Sequence, residues 1–126
     1  MPTPLKVLIV EADNTSANKI KEFIENEGYG VVSVATNGMV ALQALNANSF
    51  DLAIVDYGLP NSWSDTVMHA LGKKEHAARV VVMGQPNATG NQHLKSKFPD
   101  ALFLSRPFSQ TDLLNAAAQA AQEHPQ

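Results

Sequence analysis

Four apolar runs constrain this chain more than any other feature: Leu5–Val10, Leu52–Val55, Val80–Met83 and Ala101–Leu104, with Val31–Ala35 as a weaker fifth. They show almost no alternation of apolar and polar residues. A strand with one wet face reads with period two, whereas a short strand covered on both faces reads as a continuous run, the mark of a parallel sheet between helical layers. Helical patterns fill the gaps. Ala17, Ile20, Phe23 and Ile24 recur at three and four residues behind Asp13 or Asn14 as a cap, with Gly28 where a left-handed terminator is wanted. Val40, Ala41, Ala44 and Leu45 form a second stripe opened by Thr36 or Asn37, and Asp65–Lys74 a third carrying Val67, Met68 and Leu71. The stretch 86–98 is the least legible, with a short helix expected over 91–97. "SQTD" at 109–112 reads as a capping box before Leu113, Leu114, Ala117, Ala118 and Ala121.

Strand and helix therefore alternate five times, which predicts an α/β three-layer open sandwich with crossovers of the usual hand. At 126 residues the chain makes one domain, expected over 5–121, with 1–4 and 122–126 as loose termini and the tail a conceivable cut point in a longer protein. Nine basic against twelve acidic residues give a net charge of −3, a poor start for gripping a phosphate backbone, so no nucleic-acid partner is expected. The absence of cysteine excludes disulfides, thiolate metal sites and cysteine nucleophiles. The opening "MPTPLKVLIVEAD" carries no basic leader, and no stretch approaches the roughly 20 apolar residues of a membrane span. A cytoplasmic module is expected.

In such sheets ligands sit beyond the carboxyl ends of the strands, where strand order reverses. The residues leaving those ends are Glu11-Ala12-Asp13, Asp56, Gly84-Gln85 and Ser105-Arg106-Pro107. Acids and a base thus converge on one crevice. "VEAD", "DYGLP" and "SRPF", in that order across five βα units from Leu5 to about Ala121, resemble the response-regulator receiver domains of two-component signalling. The resemblance implies a CheY-like, flavodoxin-like sheet of order 2-1-3-4-5 with five helices. It also implies that a partner histidine kinase donates a phosphoryl group to Asp56. A magnesium ion would then be held by acids after the first strand, by Asp56 and by the Gly58 backbone carbonyl. A lysine before Pro-Phe and a hydroxyl after the fourth strand would grip the phosphoryl oxygens, because phosphoryl transfer depends on positioning and charge stabilisation.

The chain departs from that pattern at several places. The acidic pair falls on Glu11 and Ala12, and Ala12 replaces the direct metal ligand with a methyl group. Asp13 is adjacent, but one residue out of step. Glu11 and Asp13 read equally as a residual metal site or as a solvated acidic turn and a helix cap. Gly84 stands at the hydroxyl position and Arg106 at the lysine position; a planar guanidinium is not interchangeable with an ammonium. Arg106 and Asp56 are expected to form an ion pair across the crevice. Phe103 holds the place of the family's switch aromatic but reads also as plain core once the hydroxyl is gone. Pro107 follows Arg106 at a bond the family often holds cis. Trp63 reads as a loop aromatic beside the crevice, and His69, His76, His93 and His124 as surface residues.

The expectation is a degenerate receiver: a protein-interaction module, not an enzyme beyond self-catalysed phosphoryl transfer to Asp56, with magnesium binding weak. Its expected partners are a kinase, phosphotransfer or effector domain, meeting the face of the fourth helix, fifth strand and last helix; pairing with a second copy stays open. The alternative is a working phosphoacceptor in which Glu11 or Asp13 rescues the metal. A flavin or nucleotide site would need a phosphate-cradling loop after the first strand, and "EADNTS" is acidic and glycine-free. A phosphatase built on Asp56 would want a second acid two residues later, where Gly58 stands.

Overall fold

The computed structural model describes residues 5–26, 30–56, 63–71, 79–84, 101–105 and 109–123. In chain order the elements are β1 (Leu5–Val10), α1 (Asn14–Asn26), β2 (Gly30–Ala35), α2 (Gly38–Ala47), β3 (Leu52–Asp56), α3 (Trp63–Leu71), β4 (Arg79–Gly84), β5 (Leu102–Ser105) and α4 (Gln110–Glu123). The five strands form one parallel sheet of order β2-β1-β3-β4-β5, as expected. Four helices lie within the described residues where five were expected; the stretch 91–97, expected to hold the missing one, lies outside them.

The uninterrupted apolar runs are explained by two cores. Val7, Ile9, Leu52, Ile54, Val81 and Met83 pack against Ile20 and Ile24 of α1 and Leu113 of α4. Leu8, Val10, Ala53, Val55 and Val82 face the other way, onto Ala41 and Leu45 of α2 and Val67, Met68 and Leu71 of α3. Residues 7 to 10 and 52 to 55 have no exposed surface at all. Each Val, Leu or Ile among them contributes about 1.5–3 kcal/mol relative to remaining in water, so an alternating polar residue here would be costly.

The helix starts follow their sequence signals. Asn37 caps α2, its side-chain oxygen accepting the Val40 N–H at 2.9 Å. At α4 the capping box is reciprocal: Ser109 Oγ accepts the Asp112 N–H (3.0 Å) and Asp112 Oδ2 accepts the Ser109 N–H (3.2 Å). At the amino ends of the strands Asp51 ties three strands together. Its N–H donates to the Lys6 carbonyl (2.8 Å), its Oδ2 accepts the Lys6 N–H (2.9 Å), and its carbonyl accepts the Arg79 N–H (3.0 Å).

Candidate functional site

The strand register assembles the carboxyl edge. Val10 is opposite Val55, so Glu11 and Asp56 come level on neighbouring strands, which in a parallel sheet lie about 4.8 Å apart. Asp56 is in turn opposite Met83, and Gly84 opposite Ser105. Two acids and a bare glycine backbone therefore meet at the strand ends, with Asp56 half-buried at the tip of a strand whose four preceding residues are wholly buried.

Glu11 differs from the solvated turn residue considered from sequence. Only 3% of it is exposed. Its N–H extends the β1–β2 ladder by one step, donating to the Ala35 carbonyl (3.1 Å), and this draws the side chain inside the edge. A buried carboxylate is costly without donors. One is supplied locally, since Glu11 Oε1 accepts the Asp13 N–H at 3.2 Å.

Asp13 takes the cap reading. Its Oδ1 accepts the Thr15 N–H (3.1 Å), its Oδ2 accepts the Ser16 hydroxyl (3.0 Å), and its carbonyl accepts the Ala17 N–H (2.9 Å) to start α1. The first N–H groups of a helix have no partner of their own, and a carboxylate beside them satisfies both their hydrogen bonding and the positive end of the helix dipole. Both carboxylate oxygens are thereby engaged on the exposed side of the turn. Between the two acids Ala12 is exposed and offers no side-chain oxygen. Among the described residues no group of three or more His, Asp or Glu side chains comes together in a way that could hold a metal ion.

Gly84 ends β4 half-buried. Phe103 is half-buried and packs against the core beneath α2 and α3. Arg106, Pro107 and Gly58 lie outside the described residues, and the expected Asp56–Arg106 ion pair with them. His69 is exposed, as expected; His76, His93 and His124 are not described.

Trp63 requires a correction. It was expected in a loop but is the first residue of α3, two residues before the expected helix start, half-buried against the α2–α3 core. Its indole lies over Gly38, the first residue of α2. A Cβ at position 38 would stand 2.5 Å from Trp63 Cδ2 and 2.6 Å from Cγ, so only glycine admits the ring. This contact joins the starts of two helices beside the crevice. The sequence signals it only as a glycine directly behind an asparagine cap, which capping alone does not require.

The response regulator receiver domain family matches residues 7–118, nearly the whole chain. The chain belongs to that family. As a receiver domain it is similar to the transcriptional regulatory protein PdtaR of Mycobacterium tuberculosis, 28% identical over 116 residues, covering 90% of this chain and 55% of that one. Among solved structures, a CheY-like receiver domain protein from Methanospirillum hungatei superposes with a TM-score of 0.85 at 21% identity, covering 97% of each chain. The receiver domain of a Francisella response regulator does so at 0.82 and 25% identity, covering 96% of this receiver and 99% of that chain. The CheY-like fold is thus shared with these structures, and the receiver spans about half the length of the curated relatives it matches.

Proposed function

We propose that this receiver domain is a protein-interaction module of two-component signalling whose Asp56 sits at the phosphoacceptor position with too few ligands beside it for efficient phosphorylation. The observation that carries the reading is the turn after β1. Ala12 contributes a methyl group, and the neighbouring Asp13 carboxylate is spent on the first turn of α1 through Thr15 and Ser16. Magnesium prefers near-octahedral oxygen ligation and gives up its waters reluctantly, so a site reduced to Glu11, Asp56 and the Gly58 carbonyl holds it weakly. Gly84 adds no hydroxyl at the strand end opposite Ser105. Arg106, at the family's lysine position in the sequence, brings a planar guanidinium where a compact ammonium would grip the phosphoryl oxygens.

In this reading the domain presents its surface to a kinase, phosphotransfer or effector domain in the cytoplasm, without contacting nucleic acid itself. The contact surface is the last helix and fifth strand with the segment that precedes that strand. Phosphoryl transfer to Asp56 is the alternative, favoured by the level placement of Glu11 and Asp56. Incubation with magnesium and acetyl phosphate, read by intact mass, separates the two. The proposal expects little or no phosphoryl adduct on the wild type. A near-stoichiometric adduct, absent from Asp56→Asn, would establish the working phosphoacceptor instead.

A further inference from the structure

Residues 28–50, which contain β2, α2 and the turn between them, hold no Asp, Glu, Lys, Arg or His. At the chain's overall 17% charged content, about four charges would fall in a stretch of this length. The stretch lies at the edge of the sheet, where β2 pairs, among the described residues, with β1 alone. Edge strands normally carry a charge, a proline or a bulge, or are very short, because an open edge is a template for pairing with another chain. The other edge strand, β5, is four residues long and is followed directly by Arg106. β2, with the sequence GVVSVA, has six residues and none of those devices.

The hydrogen bonding decides which groups face outward. The Ala35 carbonyl accepts the Glu11 N–H, so the backbone groups of Ala35 point toward β1. The N–H and C=O of a strand residue point to the same side, and that side alternates along the strand. Val31 and Ser33 therefore also face β1, and Gly30, Val32 and Val34 face the open edge. Val32 and Val34 are half-buried, and the large apolar residues most exposed among the described ones, Met39 at 58% and Val40 at 40%, begin the adjoining α2.

We propose that the β2 edge is a homodimer interface, in which β2 pairs antiparallel with β2 of a second copy to give one continuous sheet. A two-fold axis at Val32 pairs Val32 with Val32 and Gly30 with Val34, each pair exchanging both of its N–H···O bonds. The same three residues serve both partners, so the edge is complementary to itself. The charge pattern selects a second copy over a charged peptide. The chain carries a net charge of −3, yet β2 and α2 bring no like charges together when two copies meet, and α1, which packs on the other face of β2, balances Lys19 and Lys21 with Glu22 and Glu25. The α2 helices then lie on the same face of the joined sheet, each bringing Met39 and Val40 to the newly covered region. This surface lies apart from Asp56 and does not depend on its phosphorylation.

Sedimentation equilibrium from micromolar to millimolar concentration tests the proposal together with amide hydrogen exchange by NMR. The expected mass rises from 13.5 kDa toward twice that value. The Val32 and Val34 amides slow at least about 10-fold over the same range, while Val31, Ser33 and Ala35 are protected throughout. Val32→Pro removes an outward N–H and Met39→Lys with Val40→Lys places like charges beside the edge; both are expected to give a monomer. If the proline variant unfolds, the lysine pair and the amide exchange decide. A monomer at every concentration overturns the proposal. So does a dimer in which the Val32 and Val34 amides exchange freely, or one that survives the two lysines.

Discussion

Replacing Gly38 with alanine should reverse its effect depending on what stands at position 63. A methyl at position 38 would lie 2.5 and 2.6 Å from two atoms of the Trp63 ring, about 1 Å inside the closest comfortable carbon–carbon approach. The ring or the start of α2 must move, and overpacking of this kind costs about 1–3 kcal/mol. Against this, alanine gains roughly 0.5–1 kcal/mol over glycine in a helix, and Gly38 opens α2 outside the left-handed backbone region. The net expectation for Gly38→Ala is a loss of about 0.5–2 kcal/mol. In a Trp63→Ala background the ring is gone and the same substitution should stabilise by up to about 1 kcal/mol. The coupling between the two sites is then about 1–3 kcal/mol. Urea unfolding followed by far-UV circular dichroism measures all four proteins. Because Trp63 is the single tryptophan, its emission in Gly38→Ala also reports the ring's displacement as a red shift. A substitution that stabilises in both backgrounds would refute the packing argument.

Two further substitutions address the turns at the two ends of the strands. Asp13→Ala removes the acceptors of Thr15 and Ser16 and should cost about 1–2 kcal/mol, a fall of roughly 4–8 °C in thermal midpoint, whereas Asp13→Asn keeps an acceptor and loses only a few tenths. Neither should alter magnesium affinity, and a weakened affinity measured by NMR titration would make Asp13 a ligand after all. Asp51→Ala removes the acceptor of the Lys6 N–H and should cost about 0.5–1.5 kcal/mol in urea unfolding, with Asp51→Asn close to wild type; equal losses in the two would point to charge rather than the hydrogen bond.

The layered architecture was legible because the cores demand it. Residues 7–10 and 52–55 are buried on both faces, so their side chains could not alternate, and absence of alternation is itself the signal of a covered parallel strand. Asn37 and the SQTD box were legible because a cap is a local interaction between residues three apart. Trp63 was not. Its place at the start of α3 depends on the surface of α2, a contact across 25 positions in sequence that no periodic pattern encodes. At the candidate site the convergence of Glu11 and Asp56 followed from strand order, which the resemblance supplied. The division of labour between Glu11 and Asp13 did not. Two carboxylates two residues apart suit a cap and a ligand equally on paper, and the ladder bond from Glu11 to Ala35 turns one inward while the first turn of α1 claims the other.

The central claim is that the methyl group of Ala12 leaves Asp56 without a strong metal site. Magnesium titration of the wild type and of Ala12→Asp, followed by the amide signals of Glu11, Asp56 and Gly84, tests it most directly. The account predicts weak binding in the wild type and binding at least about 10-fold tighter once the carboxylate is introduced beside Glu11. A wild-type protein that already binds magnesium as tightly as Ala12→Asp would contradict it.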